Sequence, residues 1–348
     1  MSLNHLQLAP DKLMNSEGQP IYGHFDGVVG DLAIKQFNYF NEMDKPCSWF
    51  AKYFDYKQFQ FINITTPRYI IGVAIADIRY VGSSFCYLYD IEKNKLTETQ
   101  ALKPLSWGMS VSHSPQQGKA QIKHRQGKIE FSIKDSQWQL SIKTDDIKAE
   151  LELSPPPLSL PMSLCTPTGY SGWTYTQKHN GLKVNGSLII KDEPQPLNAA
   201  LGGYDFSAGY MRRETSWRWA SINTHVEAGV LGLNLAAGVN ETGATENVLW
   251  INGERHLLPS VKFDFNRHLS NDYWHISTGF GKKGPTTGEI DLTFKALNCR
   301  SEKLNLGFLK SNFRQYIGYF SGHIIDNNGH KHLLHNQLGL TEDHFAKW

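Results

Sequence analysis

Hydrophobic and polar residues alternate with a period of two along much of the chain. Ile129, Phe131 and Ile133 alternate with Glu130, Ser132 and Lys134, and Ile290, Leu292 and Phe294 alternate with Asp291, Thr293 and Lys295. Successive side chains of a strand point to opposite faces, so this pattern predicts half-buried strands. Residues 147–153 and 261–265 repeat it, which places strands in both halves of the chain. Asn-Gly pairs at Asn180-Gly181, Asn185-Gly186, Asn252-Gly253 and Asn328-Gly329 take the positive φ angles of two-residue hairpins and predict antiparallel neighbours. No long segment keeps a 3.6-residue apolar period between proper caps, so helices should be few and short, best placed at residues 31–40 and 343–348.

The run Ser154-Pro155-Pro156-Pro157-Leu158-Ser159-Leu160-Pro161 interrupts the alternation. Consecutive prolines cannot donate to a sheet ladder and force an extended path. A domain boundary is expected there, giving a barrel-like unit at 1–153, a linker at 154–161 and a second barrel-like unit at 162–348. A chain of 348 residues is long for one core, and each part has the size of a single domain. The expected fold is all-β, two antiparallel barrel halves with few short helices.

Composition adds exclusions. Lys+Arg 35 against Asp+Glu 33 leaves no basic footprint for nucleic acid. The 18 Phe, 15 Tyr and 9 Trp favour strands and line apolar pockets, which points to β structure with ligand capacity. Cys47, Cys86, Cys165 and Cys299 are far apart and form no CxxC pair, which predicts reduced thiols. The most apolar run, residues 69–78, is broken by Gly72 and Asp77 and is too short to span a bilayer. Residues 1–20 lack a signal-like apolar core, and a cytoplasmic protein that is not integral to a membrane is expected. His330, His332 and His335 cluster without a completing carboxylate or cysteine, so no metal is expected.

Candidate chemistry concentrates in residues 201–220. In an extended segment Glu214, Ser216 and Arg218 share one face, and Arg213, Thr215, Trp217 and Trp219 the other, which predicts ions turned to a cavity above packed tryptophans. A carboxyl group in an apolar cavity keeps its proton near neutral pH and can act as a general acid. Asp205 is the first choice for that role and Glu214 the second, with Tyr204, Arg213, Trp217 and Trp219 as ligand contacts. The structural alternative pairs these carboxylates with Arg212 or Arg213. Asn234 and Asn247 stand among apolar residues, either orienting a ligand or satisfying backbone groups. Ions and aromatics continue through residues 342–348, which predicts a docked terminus; another reading makes Glu342 or His344 catalytic. Walker, dinucleotide and serine or cysteine nucleophile motifs are absent.

Several motifs together resemble the domain of unknown function 2804 family over nearly the whole chain. They are Tyr22-Gly23-His24-Phe25, residues 76–82, Tyr175-Thr176-Gln177-Lys178, Asp205, the Arg213-x-Thr215-x-Trp217-x-Trp219-Ala220 strand, Asn234, Gly238, Glu246-Asn247 with Trp250, and residues 342–348. The family is distantly similar to lipocalin-like two-barrel proteins that include carotenoid hydratases and tocopherol cyclases. That resemblance implies a hydrophobic cavity, a hydrophobic small molecule as partner, and acid chemistry on a double bond with no cofactor. The expected activity is hydration, cyclisation or isomerisation of an unsaturated lipid or isoprenoid. The alternatives are carriage of a lipophilic molecule and a structural or glycan-contacting role.

Overall fold

The computed structural model describes residues 6–239, 243–268, 273–278 and 288–348. Among them the fold is nearly all-β and forms two barrel-like sheets, one of fifteen strands and one of nine. The named strands pair antiparallel, except that Gln7–Leu8 runs parallel to Gly23–Asp26. Alternation is realised as expected: Gln137–Thr144 and Ile147–Ser154 bury every second residue and pair in register.

In the first sheet the order runs from Lys95–Pro104 through Val81–Asp90, Tyr69–Asp77 and Lys57–Thr65 to Leu201–Tyr210, then Gly172–Ile190 and Ile147–Ser154. The second sheet has Glu214–Val226 beside Lys331–Lys347, which in turn pairs with Lys310–Ile325. Each sheet encloses its own core. Phe131, Trp138, Trp173 and Phe206 fill the first, and Leu233, Trp274, Phe294 and Phe320 the second.

A third apolar cluster joins the sheets, with Phe61, Phe85, Tyr87 and Tyr89 meeting Trp219, Phe313, Ile317 and Leu340. Fully burying such a side chain contributes about 1.5–3 kcal/mol, so this layer holds the barrels together. It also explains the apolar run at residues 69–78. Tyr69–Asp77 is buried on both faces, one by its own barrel and one by the other sheet, and a strand buried on both faces has no reason to alternate.

The proline-rich segment is not where the sheets divide. Strands before and after it, Ile147–Ser154 and Met162–Thr168, belong to the same fifteen-stranded sheet, and the chain passes to the second sheet between Tyr210 and Glu214. The prolines form a connection on which the second barrel rests: Trp250 Nε1 donates to the Leu160 carbonyl at 2.9 Å and Arg255 to that of Pro161 at 2.6 Å. Proline signals a break in pairing, which a connection within one sheet also requires.

Two further expectations change. Residues 343–347 belong to the strand Lys331–Lys347, while the α-helix lies at Trp49–Asp55, capped by Ser48, whose Oγ accepts from the Ala51 amide at 3.2 Å. Within residues 31–40 there is a short 3-10 turn, Ile34–Gln36. Asn252-Gly253 and Asn328-Gly329 make turns between paired strands, whereas Asn180-Gly181 is a bulge in Gly172–Ile190. There Gly181 takes φ +72° and its amide donates to Asn223 Oδ1 of the second sheet at 2.6 Å. The four cysteines are free, Cys86 and Cys165 buried and Cys47 and Cys299 half-buried.

Candidate active site between the barrels

The two sheets leave a cavity of about 220 Å³ between them, lined from both sides. Lys57–Thr65 contributes Lys57, Phe59 and Phe61, and Leu201–Tyr210 contributes Asp205 and Ser207. The second sheet supplies Trp217 and Trp219, Phe313, and Glu342 with His344. Alternation assigns these residues. Tyr204 and Phe206 point into the first core, so Asp205 and Ser207 point out of it towards the other barrel.

At the inner end Lys178 Nζ lies between two carboxylates, Asp205 and, at 3.0 Å, Glu246. Side-chain exposures of 5% for Lys178 and 3% for Glu246 make this a buried cluster. Burial opposes the ammonium, but the charges of Asp205 and Glu246 outweigh it and hold Lys178 above its ordinary value. Ser207 Oγ donates to Asp205 at 2.9 Å. Lys178 ties the two acids into one ion-paired cluster.

Glu342 faces this cluster from the second sheet. Trp217 Nε1 donates to its Oε1 at 2.6 Å and Gln315 Nε2 to its Oε2 at 3.1 Å, while Tyr87 OH donates to Gln315 Oε1 at 2.7 Å across the interface. Burial pushes the Glu342 carboxyl up to about 7; the two hydrogen bonds and Lys178 oppose the shift and the Asp205 charge adds to it. Both donors are neutral, so nothing in direct contact cancels the desolvation of the charge. Beside it, His344 Nε2 lies 3.0 Å from Ser311 Oγ, with its ring 4.2 Å from that of Trp217. Burial lowers His344 to about 3, leaving a neutral ring.

The tryptophans are on the cavity side and the ions of their strand are not, the reverse of the expected arrangement. Trp217 and Trp219 line the cavity, whereas Glu214, with 56% of its side chain exposed, pairs with Lys347 at the surface and is held below its ordinary value by that ammonium. Arg213 is exposed, and its carbonyl accepts from the Trp348 amide at 3.0 Å. Tyr204 belongs to the first core, stacked 4.4 Å from Trp138 and accepting from Gln177. The faces invert because the second barrel buries Ala220 and Ile222, fixing the odd-numbered residues of Glu214–Val226 towards the first sheet.

The asparagines support the site's walls. Asn234 accepts from Trp219 Nε1 at 2.7 Å and donates to the Glu246 carbonyl at 2.8 Å, so it positions one aromatic wall and one acid together. Asn247 accepts from the Ala236 amide at 2.7 Å and donates to the Pro259 carbonyl at 2.8 Å, satisfying backbone groups. His332 and His330 lie 2.9 and 3.4 Å from Asp326. Among the described residues no three His, Cys, Asp or Glu side chains converge as a metal ligand set, and no helix is long and apolar enough to cross a membrane.

Lys178, Glu246 and Glu342 were the residues whose roles alternation alone did not reveal. Glu342 had a readable signal: Leu338, Leu340, Glu342, His344 and Ala346 occupy one face of a strand, so the carboxylate sits on an apolar stripe. The alternative that makes Glu342 catalytic is thus written in the strand alternation. Lys178, on Gly172–Ile190, and Glu246, in the segment before Val248–Ile251, meet only through tertiary packing.

Fold and site together define a two-barrel β protein whose cavity lies between the barrels and contains buried acids. The chain belongs to the family described as a domain of unknown function (DUF2804), whose model matches residues 5–348. No curated protein matches the sequence. Among solved structures it is similar to CghA with Sch210972, at 9% identity over 98% of this chain and 97% of that one, TM-score 0.55. It is also similar to a Nitrosomonas europaea protein assigned as AttH, 13% identical over 83% and 91% of the two chains, TM-score 0.49. Kievitone hydratase from Nectria haematococca is 13% identical over 82% and 88%, TM-score 0.45. The likeness to CghA, at 9% identity, is one of fold.

Proposed function

We propose that this protein is an acid catalyst that protonates a carbon–carbon double bond of an unsaturated lipid or isoprenoid held between its barrels. The observation that carries the reading is Glu342, a buried carboxyl raised to about 7 beside an aromatic cavity. In the reaction the Glu342 proton goes to one alkene carbon as the π electrons form the new C–H bond. The positive charge left on the other carbon faces Trp217, Trp219 and Phe61, and the Asp205–Lys178–Glu246 cluster lies nearby. Water capture then gives hydration, an internal nucleophile gives cyclisation, and loss of a neighbouring proton gives isomerisation. Asp205, ion-paired with Lys178, is assigned as acceptor of the released proton, and Glu342 is reprotonated from solvent.

The test is incubation with farnesol, geranylgeraniol or linolenate in D2O, with products read by mass spectrometry. Protonation at carbon introduces one non-exchangeable deuterium per turnover, and Glu342→Gln should abolish it. Equal labelling by the variant would overturn the assignment. Ligand bound stoichiometrically and recovered unlabelled would favour the second reading, carriage of a lipophilic molecule. That reading is supported by the apolar lining and by an ion cluster that is internally paired.

A further inference from the structure

The cavity has a second, basic end. Lys57 stands opposite Gly209 and Asp205 opposite Phe61, so Lys57 lies four residues along the sheet from the acid cluster, about 13 Å at strand spacing. Lys57 is buried, with 3% of its surface exposed, and lines the cavity. Its Nζ donates to the Phe54 carbonyl and lies 5.3 Å from the centre of the Tyr80 ring. Among the described residues no carboxylate comes within ion-pair distance of it: nearby Asp77 is taken by Arg79 at 3.0 Å, and Asp55 accepts from Tyr39 OH at 3.1 Å. At the same end Lys310 and Lys347 are direct cross-strand partners, with Glu214 paired to Lys347. An ammonium buried without a counter-ion costs stability unless an anion joins it. Burial lowers Lys57 to about 8, still charged for the most part at neutral pH.

We propose that the cavity binds an amphiphile by its anionic head, with Lys57 as the head-group contact, Lys310 and Lys347 at the rim, and the hydrocarbon running past Phe59 and Trp217 towards Glu342. This deepens the proposed function by naming the substrate class, and it rests on that reading only for what happens at the far end of the chain. The separation of the two ends is of the order of a farnesyl chain. Carboxylate and phosphate heads share the required chemistry.

Three probes of one chain distinguish these cases: farnesoate, farnesyl monophosphate and methyl farnesoate, with affinities followed by quenching of tryptophan fluorescence. Performing the titrations on Glu342→Gln protein as well as wild type separates binding from turnover, so absence of catalysis does not count against the head-group assignment. At least one anion should bind tenfold or more tighter than the ester, and the better anion identifies the head group. Lys57→Met should remove most of that preference and leave ester affinity within about twofold; Lys310→Gln should weaken it two- to threefold. If neither anion exceeds the ester in the wild-type protein, absence of any binding included, the proposal is overturned without recourse to a variant. Retention of the full preference by folded Lys57→Met protein would overturn it equally.

Discussion

Glu342 and Asp343 are adjacent carboxylates on one strand with opposite surroundings. Glu342 faces the cavity between the barrels, where its contacts are a neutral indole and a neutral amide, and burial pushes it up to about 7. Asp343 faces the second barrel, where Arg267 binds it through two hydrogen bonds of 2.6 and 2.9 Å, with Arg314 at 3.2 Å and Arg218 at 3.4 Å. Burial would raise Asp343, but these guanidinium groups outweigh it and hold it below the ordinary aspartate value. The pair teaches that burial alone does not make an acid catalyst. What matters is burial without a compensating cation in contact, and the pleat of one strand separates the two cases.

Breaking the Glu342 half should have the largest effect. Glu342→Gln is expected to reduce deuterium incorporation by about 10²–10⁴-fold, the range for loss of a general acid, as measured by initial rates at pH 6. Breaking the other half should unfold rather than inactivate. Asp343→Ala strands three arginines and should cost about 3 kcal/mol in urea unfolding, towards the low end for a broken buried ion pair because Arg267 is partly exposed.

Acid titration should resolve the two residues by sign. The native state holds the Glu342 proton to higher pH than the unfolded chain, so its favourable contribution is present below 4.5 and is lost as pH rises towards 7, a swing of roughly 3 kcal/mol. Asp343 behaves inversely: its contribution is present above 3.8 and is lost as pH falls through its depressed native value. Unfolding free energies of wild type minus Glu342→Gln, and of wild type minus Asp343→Asn, should therefore slope in opposite directions with pH. Parallel slopes would refute the comparison. In the same way, kcat/KM should decline tenfold per unit above about pH 7 as Glu342 loses its proton.

Trp217→Phe sharpens the cause of the shift. The indole hydrogen bond lowers Glu342, so its loss should move the descending limb of the rate profile to higher pH, with a stability cost of about 1.5 kcal/mol. The smallest effect is expected for Glu214→Gln, on the exposed face of its strand, which should leave turnover and melting temperature at wild-type values.

The sequence by itself determined the class of fold and the neighbourhood of the site. Period-two alternation predicts Gly127–Lys134, Ile147–Ser154 and the start of Glu289–Asn305, because a sheet wet on one face must write its burial into every second residue. It also brought Asp205, Trp217 and Trp219 into consideration, and all three line the cavity. Only the tertiary structure decided which face of Glu214–Val226 the cavity lies on, where one sheet gives way to the other, and which carboxyl burial pushes up. Alternation states that two faces differ but not what covers each of them. The environment of Glu342 is assembled from Trp217, Gln315 and Lys178, residues 125, 27 and 164 positions away, so its chemistry exists only once the two barrels have closed over it.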